Sequence, residues 1–166
     1  MEVLWTIILH HIPEAFLFAY SGLGLVGVHL SLKRLVPFAL VFGVIVHALR
    51  VAIFPWHVVA LMAVQAVAQR YYFHVSWGAS LAAVSISLIL LNAGEALLAL
   101  ALFLALQISL DDILTSPLLS LLMGWTTLIP LLIAAVAVGR WGWVLIPLHS
   151  GDAPRAGGAD EVSGHG

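Results

Sequence analysis

The 166-residue chain reads as an all-α integral membrane bundle of about five transmembrane helices, on three grounds. Hydrophobic residues make up 63% of it and charged residues only 8%, against roughly 45–50% and about 25% in a soluble domain. The mean hydropathy is +1.12. The apolar residues fall in several long runs between short polar breaks, and backbone within lipid must satisfy its own hydrogen bonds, as helices do. Soluble globular and disordered chains are excluded on composition. Six basic and eight acidic residues give a net charge of −2 and leave no basic patch for nucleic acid. With no cysteine, neither a disulfide framework nor a thiolate metal site can form.

The spans follow from counting apolar runs against the ~20 residues that cross a bilayer. The first runs from Val3 to Leu30, interrupted by His10, His11, Pro13 and Glu14 and closed by Lys33 and Arg34. It lacks a basic n-region and a cleavage pattern, so it is expected to be a retained span. The second runs from Leu35 to Phe54 and stops at Pro55; the third runs from Trp56 to Phe73 and ends in Arg70, Tyr71 and Tyr72. From Trp77 to Ile108 the run is too long for one upright helix and too short for two, so a single long tilted helix is expected, with Asn92–Gly94 as its candidate kink. Ser109 and Asp112 have capping-box spacing and predict a short interfacial helix before Pro117. The last span is expected from about Pro117 to Val138, ending at Arg140 with Trp141 and Trp143 as interface anchors.

The domain expectation is a polytopic transmembrane unit over 1–148 and a disordered cytoplasmic tail over 149–166, rich in Gly, Ala, Ser and Asp. Orientation follows from the basic residues. An outside N-terminus puts Lys33, Arg34, Arg70, Arg140 and Arg155 in the cytoplasm, with Arg50 the lone exception. The expectation is therefore N-out and C-in, in the cell membrane.

Ionisable side chains inside a span cost a few kcal/mol and usually face the bundle interior or a wet cavity. Here they are Glu14, Arg50 and Glu95, accompanied by His10, His11, His47, Gln65 and Asn92. Counted at ~1.5 Å per residue, Arg50 lies ~22 Å up the second span and Glu95 ~27 Å along the fourth, so with Glu14 all three converge on the outer half of the membrane. His10 and Glu14 share a face at i,i+4, as do His47 and Arg50 at i,i+3. An interhelical Glu14–Arg50 ion pair is expected, flanked by His10 and His47, with His57 at the outer mouth. The same pair also reads as a plain lock between two helices.

Eight histidines invite a metal or haem reading, and His11 and Glu14 have i,i+3 spacing. Three or four protein ligands would have to come from several helices without Cys or an H-E-x-x-H motif, so no metal and no cofactor are expected. A b-type haem would need His10 or His11 opposite His47. Ser21, Gly24, Gly27, Gly78, Ala79, Ala82 and Ala83 are expected to allow close helix packing, and Ser80, Ser85 and Ser87 to bond back to their own helix. The letters Gly22-x-Gly24-x-x-Gly27 follow no strand and carry no dinucleotide meaning.

The order L-H-H-I-P-E-A-F at Leu9 to Phe16, G-L-G-L-V-G at Gly22 to Gly27, F-P-W-H at Phe54 to His57, V-S-W at Val75 to Trp77 and S-L-D-D-I-L-T-S-P-L-L at Ser109 to Leu119 resembles the membrane-integral N-terminal input region of Gram-positive peptide-sensing sensor histidine kinases. It spans nearly all of Met1 to about Leu148. The resemblance implies a ligand-sensing membrane domain whose C-terminus enters the cytoplasm. A kinase of this kind would continue into a phosphoacceptor helix and an ATP-binding domain, whereas the 18 residues from His149 are expected to be a flexible tail, so an output partner is expected to supply the signalling step.

The resulting expectation is a membrane sensor, not an enzyme, that binds a small ligand or peptide through His10, Glu14, Arg50, His57 and Glu95, with His11, His47 and Asn92 behind them. Its expected partners are the lipid bilayer, a cytoplasmic signalling protein or membrane subunit, and a second copy of the chain. The alternatives are a small permease or substrate-binding transporter subunit, in which Glu95 would titrate, and a b-type haem redox subunit.

Overall fold

A computed structural model describes residues 2–53, 56–106 and 124–147, and among them every regular element is a helix. In chain order these are α1 (Glu2–Thr6), a π-helical turn (Ile7–His11), α2 (Ile12–Leu25), α3 (Leu32–Ala52), α4 (His57–Tyr72), α5 (Trp77–Leu106) and α6 (Ile129–Trp141). The run from Trp77 is one continuous helix with no break at Asn92–Gly94. The expected capping box at Ser109 and Asp112, the interfacial helix, the start of the last span and the 149–166 tail lie outside the described residues.

Among the described residues three stretches are long and apolar enough to cross a membrane: Val3–Leu25, Leu32–Ala52 and Trp77–Leu98. The helices α4 and α6 hold 16 and 13 residues, or ~24 Å and ~20 Å, short of the ~30 Å hydrocarbon core. Most of the apolar surface of the long helices points outward: Val51 is 73% exposed, Ile89 67% and Leu97 65%. A water-soluble monomer does not carry an apolar exterior on this scale; lipid is the solvent that fits it.

The bundle is organised around α2, which packs on α3, α5 and α6, while α4 closes the side between α3 and α5. Its small residues make this possible. A Cβ on Gly22 would lie 2.5 Å from the Ala83 carbonyl oxygen of α5 and against Ser87 Oγ, and one on Gly24 would strike the Val138 side chain of α6. The expected close packing is therefore found at Gly24 and at Ala79 and Ala83, and Gly22 adds to it. Gly78 and Gly27 are exceptions: Gly78 faces open space on the side of α5 turned away from its neighbours, and Gly27 lies exposed past the end of α2, where a Cβ would meet only Val144 at 3.5 Å. On the α3 side of α2, Ala15, Ala19 and Leu23 pack with Leu35, Phe38, Phe42 and Val46 in the main core.

Two hydroxyls correct the sequence expectation. Ser80 Oγ donates to the Ala66 carbonyl of α4 at 2.6 Å, and Ser87 Oγ to the Phe18 carbonyl of α2 at 2.8 Å, instead of back to their own helix. Close approach of the neighbouring backbones brings those carbonyls within reach. Each bond gives the hydroxyl a partner that an apolar surround does not otherwise offer. Ser21 does bond back, to the Leu17 carbonyl.

The helix ends are tied down at both margins. Ser76 Oγ accepts from the Ala79 N–H at 3.2 Å as the N-cap of α5, and Arg70 Nη1 donates to the Val75 carbonyl at 2.7 Å across the α4–α5 turn. After α6 ends at the left-handed Gly142, the chain folds back so that Leu145 and Ile146 donate their N–H groups to the Leu25 carbonyl at the end of α2.

Candidate functional site

The site begins with a proline. Pro13 has no N–H, and its ring crowds the carbonyl four residues back, at Leu9. The preceding turn widens in response: Ile7–His11 is π-helical, with the Ile12 N–H reaching the Ile7 carbonyl. Single π turns of this kind accommodate an irregularity inside a helix and recur at functional sites. Here the wide turn delivers His10 and His11 to the head of α2, directly above Glu14.

Glu14 is buried, with its side chain 8% exposed, and its two oxygens are used differently. Oε1 accepts from Arg50 Nη2 of α3 at 2.6 Å, the interhelical ion pair that the sequence predicts. Oε2 faces His11 Nδ1 at 3.4 Å and His10 Nε2 at 3.8 Å. The His11 ring also touches His47 of α3, with centroids 5.3 Å apart and planes tilted by 45°. Rings in direct contact leave no slot for a porphyrin plane, so the His11–His47 pair does not fit the haem alternative.

On the Arg50 side of Glu14 a cavity of about 470 Å³ opens between α2, α3, α4 and α5. Its polar lining is Glu14, Arg50, His57, Gln65, Asn92 and Glu95; Phe18, Leu61, Met62, Leu88 and Leu91 supply much of the apolar wall. That volume and mixture suit a small organic ligand. Arg50 is 31% exposed at the side chain, so its guanidinium bridges the buried carboxylate and the cavity, and its Nε is buried without a hydrogen-bond partner. Asn92 Nδ2 donates to the Leu88 carbonyl of its own helix. Glu95 is exposed, and no basic group pairs with it among the described residues.

Of the residues singled out in the sequence, Glu14, Arg50, His57, Gln65, Asn92 and Glu95 meet in this cavity. His10 does not line it. It packs instead beneath Gly124, where a Cβ would lie 2.6 Å from His10 Cε1; His11 and His47 stand beside it behind Glu14. Glu14 therefore divides a cavity from a histidine cluster.

Sequence reasoning missed two buried polar residues, Thr127, whose hydroxyl donates to the Gly124 carbonyl, and Gln69. The latter is fully buried one turn below Gln65 on α4, and neither of its amide atoms has a hydrogen-bond partner; Gln65 Nε2 is orphaned too. Their i,i+4 spacing among apolar residues was the available signal. Comparison with protein-family models, with curated proteins and with solved structures finds no match for this chain.

Proposed function

We propose that the protein is a polytopic cell-membrane sensor module of five spans, N-out and C-in, that binds a small ligand or peptide in the polar cavity and signals to a cytoplasmic partner. The observation that carries this reading is the cavity itself. Six polar residues picked out in the sequence converge on one space of about 470 Å³, although they come from four different helices. A lock between two helices requires Glu14 and Arg50 alone. It does not account for His57, Asn92 and Glu95 lining the same space.

The chemistry of the lining favours a ligand with charge of both signs. Glu95, which has no basic partner among the described residues, offers a carboxylate to an ammonium group, and Arg50 has donor capacity beyond its bond to Glu14. Short peptides and amino acids carry both groups. Ligand held between α3 and α5 would favour one packing of these helices over another, and signal would pass as that shift, reaching the end of α6 through its contacts with α2 and α5.

Thermal unfolding of the detergent-purified chain in the presence of a library of di-, tri- and tetrapeptides tests the reading. At least one peptide class is expected to raise the transition temperature, and Glu95→Gln is expected to abolish the shift without lowering the transition of the unliganded protein. A shift that survives both Glu95→Gln and His57→Ala would place binding elsewhere. Peptide-driven uptake into vesicles that depends on Glu95 would favour the permease reading instead.

A further inference from the structure

We propose that His10, His11 and Glu14 form a divalent transition-metal site of the zinc class, separate from the ligand cavity and on the opposite side of the Glu14 carboxylate. The three side chains present ligand atoms that all lie within 4.8 Å of one another, and His11 and Glu14 are buried. The spacing suits a metal set, although the His11–Glu14 contact also serves as a long hydrogen bond. Glu14 Oε2 lies 3.4 Å from His11 Nδ1 and 3.8 Å from His10 Nε2, long for the 2.7–3.2 Å typical of an N–H to oxygen hydrogen bond. Four-coordinate zinc with bonds of about 2.0–2.2 Å sets its ligand atoms roughly 3.3–3.6 Å apart. Both separations therefore approach the edge of a coordination polyhedron more closely than they approach a good hydrogen bond.

Two further observations point to the same cluster. His10 Nδ1 is buried with no hydrogen-bond partner, and His10 Nε2 stands beyond hydrogen-bond distance from Glu14, so the fold holds this imidazole by packing, not by hydrogen bonds. Gly124 closes over its ring so tightly that a Cβ would overlap it, which fixes the ring on the Glu14 side. In addition, the π turn forced by Pro13 sets the adjacent residues His10 and His11 to converge on one carboxylate oxygen. Two imidazoles and one carboxylate are a known three-ligand zinc set that leaves a fourth position open, and His47 of α3 stands in ring contact with His11. A cation on Oε2 competes with Arg50 on Oε1 for the charge of Glu14. Metal occupancy would thus loosen the Arg50 guanidinium toward the cavity.

Cobalt(II) titration of the detergent-purified chain, prepared with a histidine-free affinity tag, is the test. The expected result is one Co²⁺ per chain with the intense visible d–d bands of four-coordinate cobalt, bleached by one equivalent of Zn²⁺. Glu14→Gln, His11→Ala and His10→Ala should each weaken binding at least about tenfold, while His29→Ala, His74→Ala, His149→Ala and His165→Ala should leave it unchanged. Three ligand variants are used so that misfolding of one, checked by circular dichroism, leaves two to decide. Absence of the bands in the unaltered chain would overturn the proposal, as would bands that persist in the folded ligand variants. The titration uses no peptide, so its failure and that of the sensor reading are separate results.

Discussion

Replacing Arg50 with methionine is expected to destabilise the bundle by about 3 kcal/mol, the low end of the range for removing one partner of a buried ion pair. The low end applies because Arg50 is 31% exposed at the side chain and the cavity admits water beside it. Glu14 is the buried member at 8%, and its nearest remaining neighbours would be His11 at 3.4 Å and His10 at 3.8 Å, neither of them a strong donor to it. A carboxylate left in that position must be neutralised by a proton or drag water into the bundle. The double variant Glu14→Gln with Arg50→Met removes the orphaned charge, and it should be more stable than Arg50→Met alone. Reversible unfolding in mixed micelles, run as a double-mutant cycle, measures both effects. Additive single variants would mean that the 2.6 Å contact contributes nothing to holding α2 against α3.

Gly22→Val is the second large effect, expected to cost about 3 kcal/mol, the upper part of the range for overpacking a tight core. The obstacle is backbone. A Cβ at position 22 meets the Ala83 carbonyl oxygen at 2.5 Å and the carbonyl carbon at 3.1 Å, neither of which can swing aside as a side chain can. Relief requires α2 and α5 to separate, and that separation breaks the Ser87 to Phe18 hydrogen bond, which spans the same interface. Gly78→Val on the outward side of α5 is the matched control, with open space around it and little expected change. Equal unfolding midpoints for the two variants would show that α2 and α5 are not in backbone contact at Gly22.

The helical architecture was legible because long apolar runs leave the backbone no alternative in lipid, and the run from Trp77 was correctly read as a single helix. The Glu14–Arg50 pair was legible for a different reason. With so few charges in the apolar runs, depth along antiparallel helices was enough to bring these two together. The direction of Ser80 and Ser87 was not legible, since a hydroxyl chooses between its own carbonyl and a neighbour's according to how closely the neighbour approaches. Nor was the placement of His10. Its i,i+4 relation to Glu14 holds, but Gly124, remote in sequence, keeps it out of the cavity. The cavity itself is a gap between four helices, and no single segment encodes it.

The proposed sensor requires that the polar cavity be reached from outside the cell and that the end of α6 face the cytoplasm. Because the chain has no cysteine, Asn92→Cys in the cavity lining and Trp143→Cys beyond the end of α6 give clean single-thiol reporters. In intact cells a membrane-impermeant maleimide is expected to label position 92, and to label position 143 only after permeabilisation. Labelling of position 143 in intact cells, with position 92 reached only from the cytoplasmic side, would contradict the account.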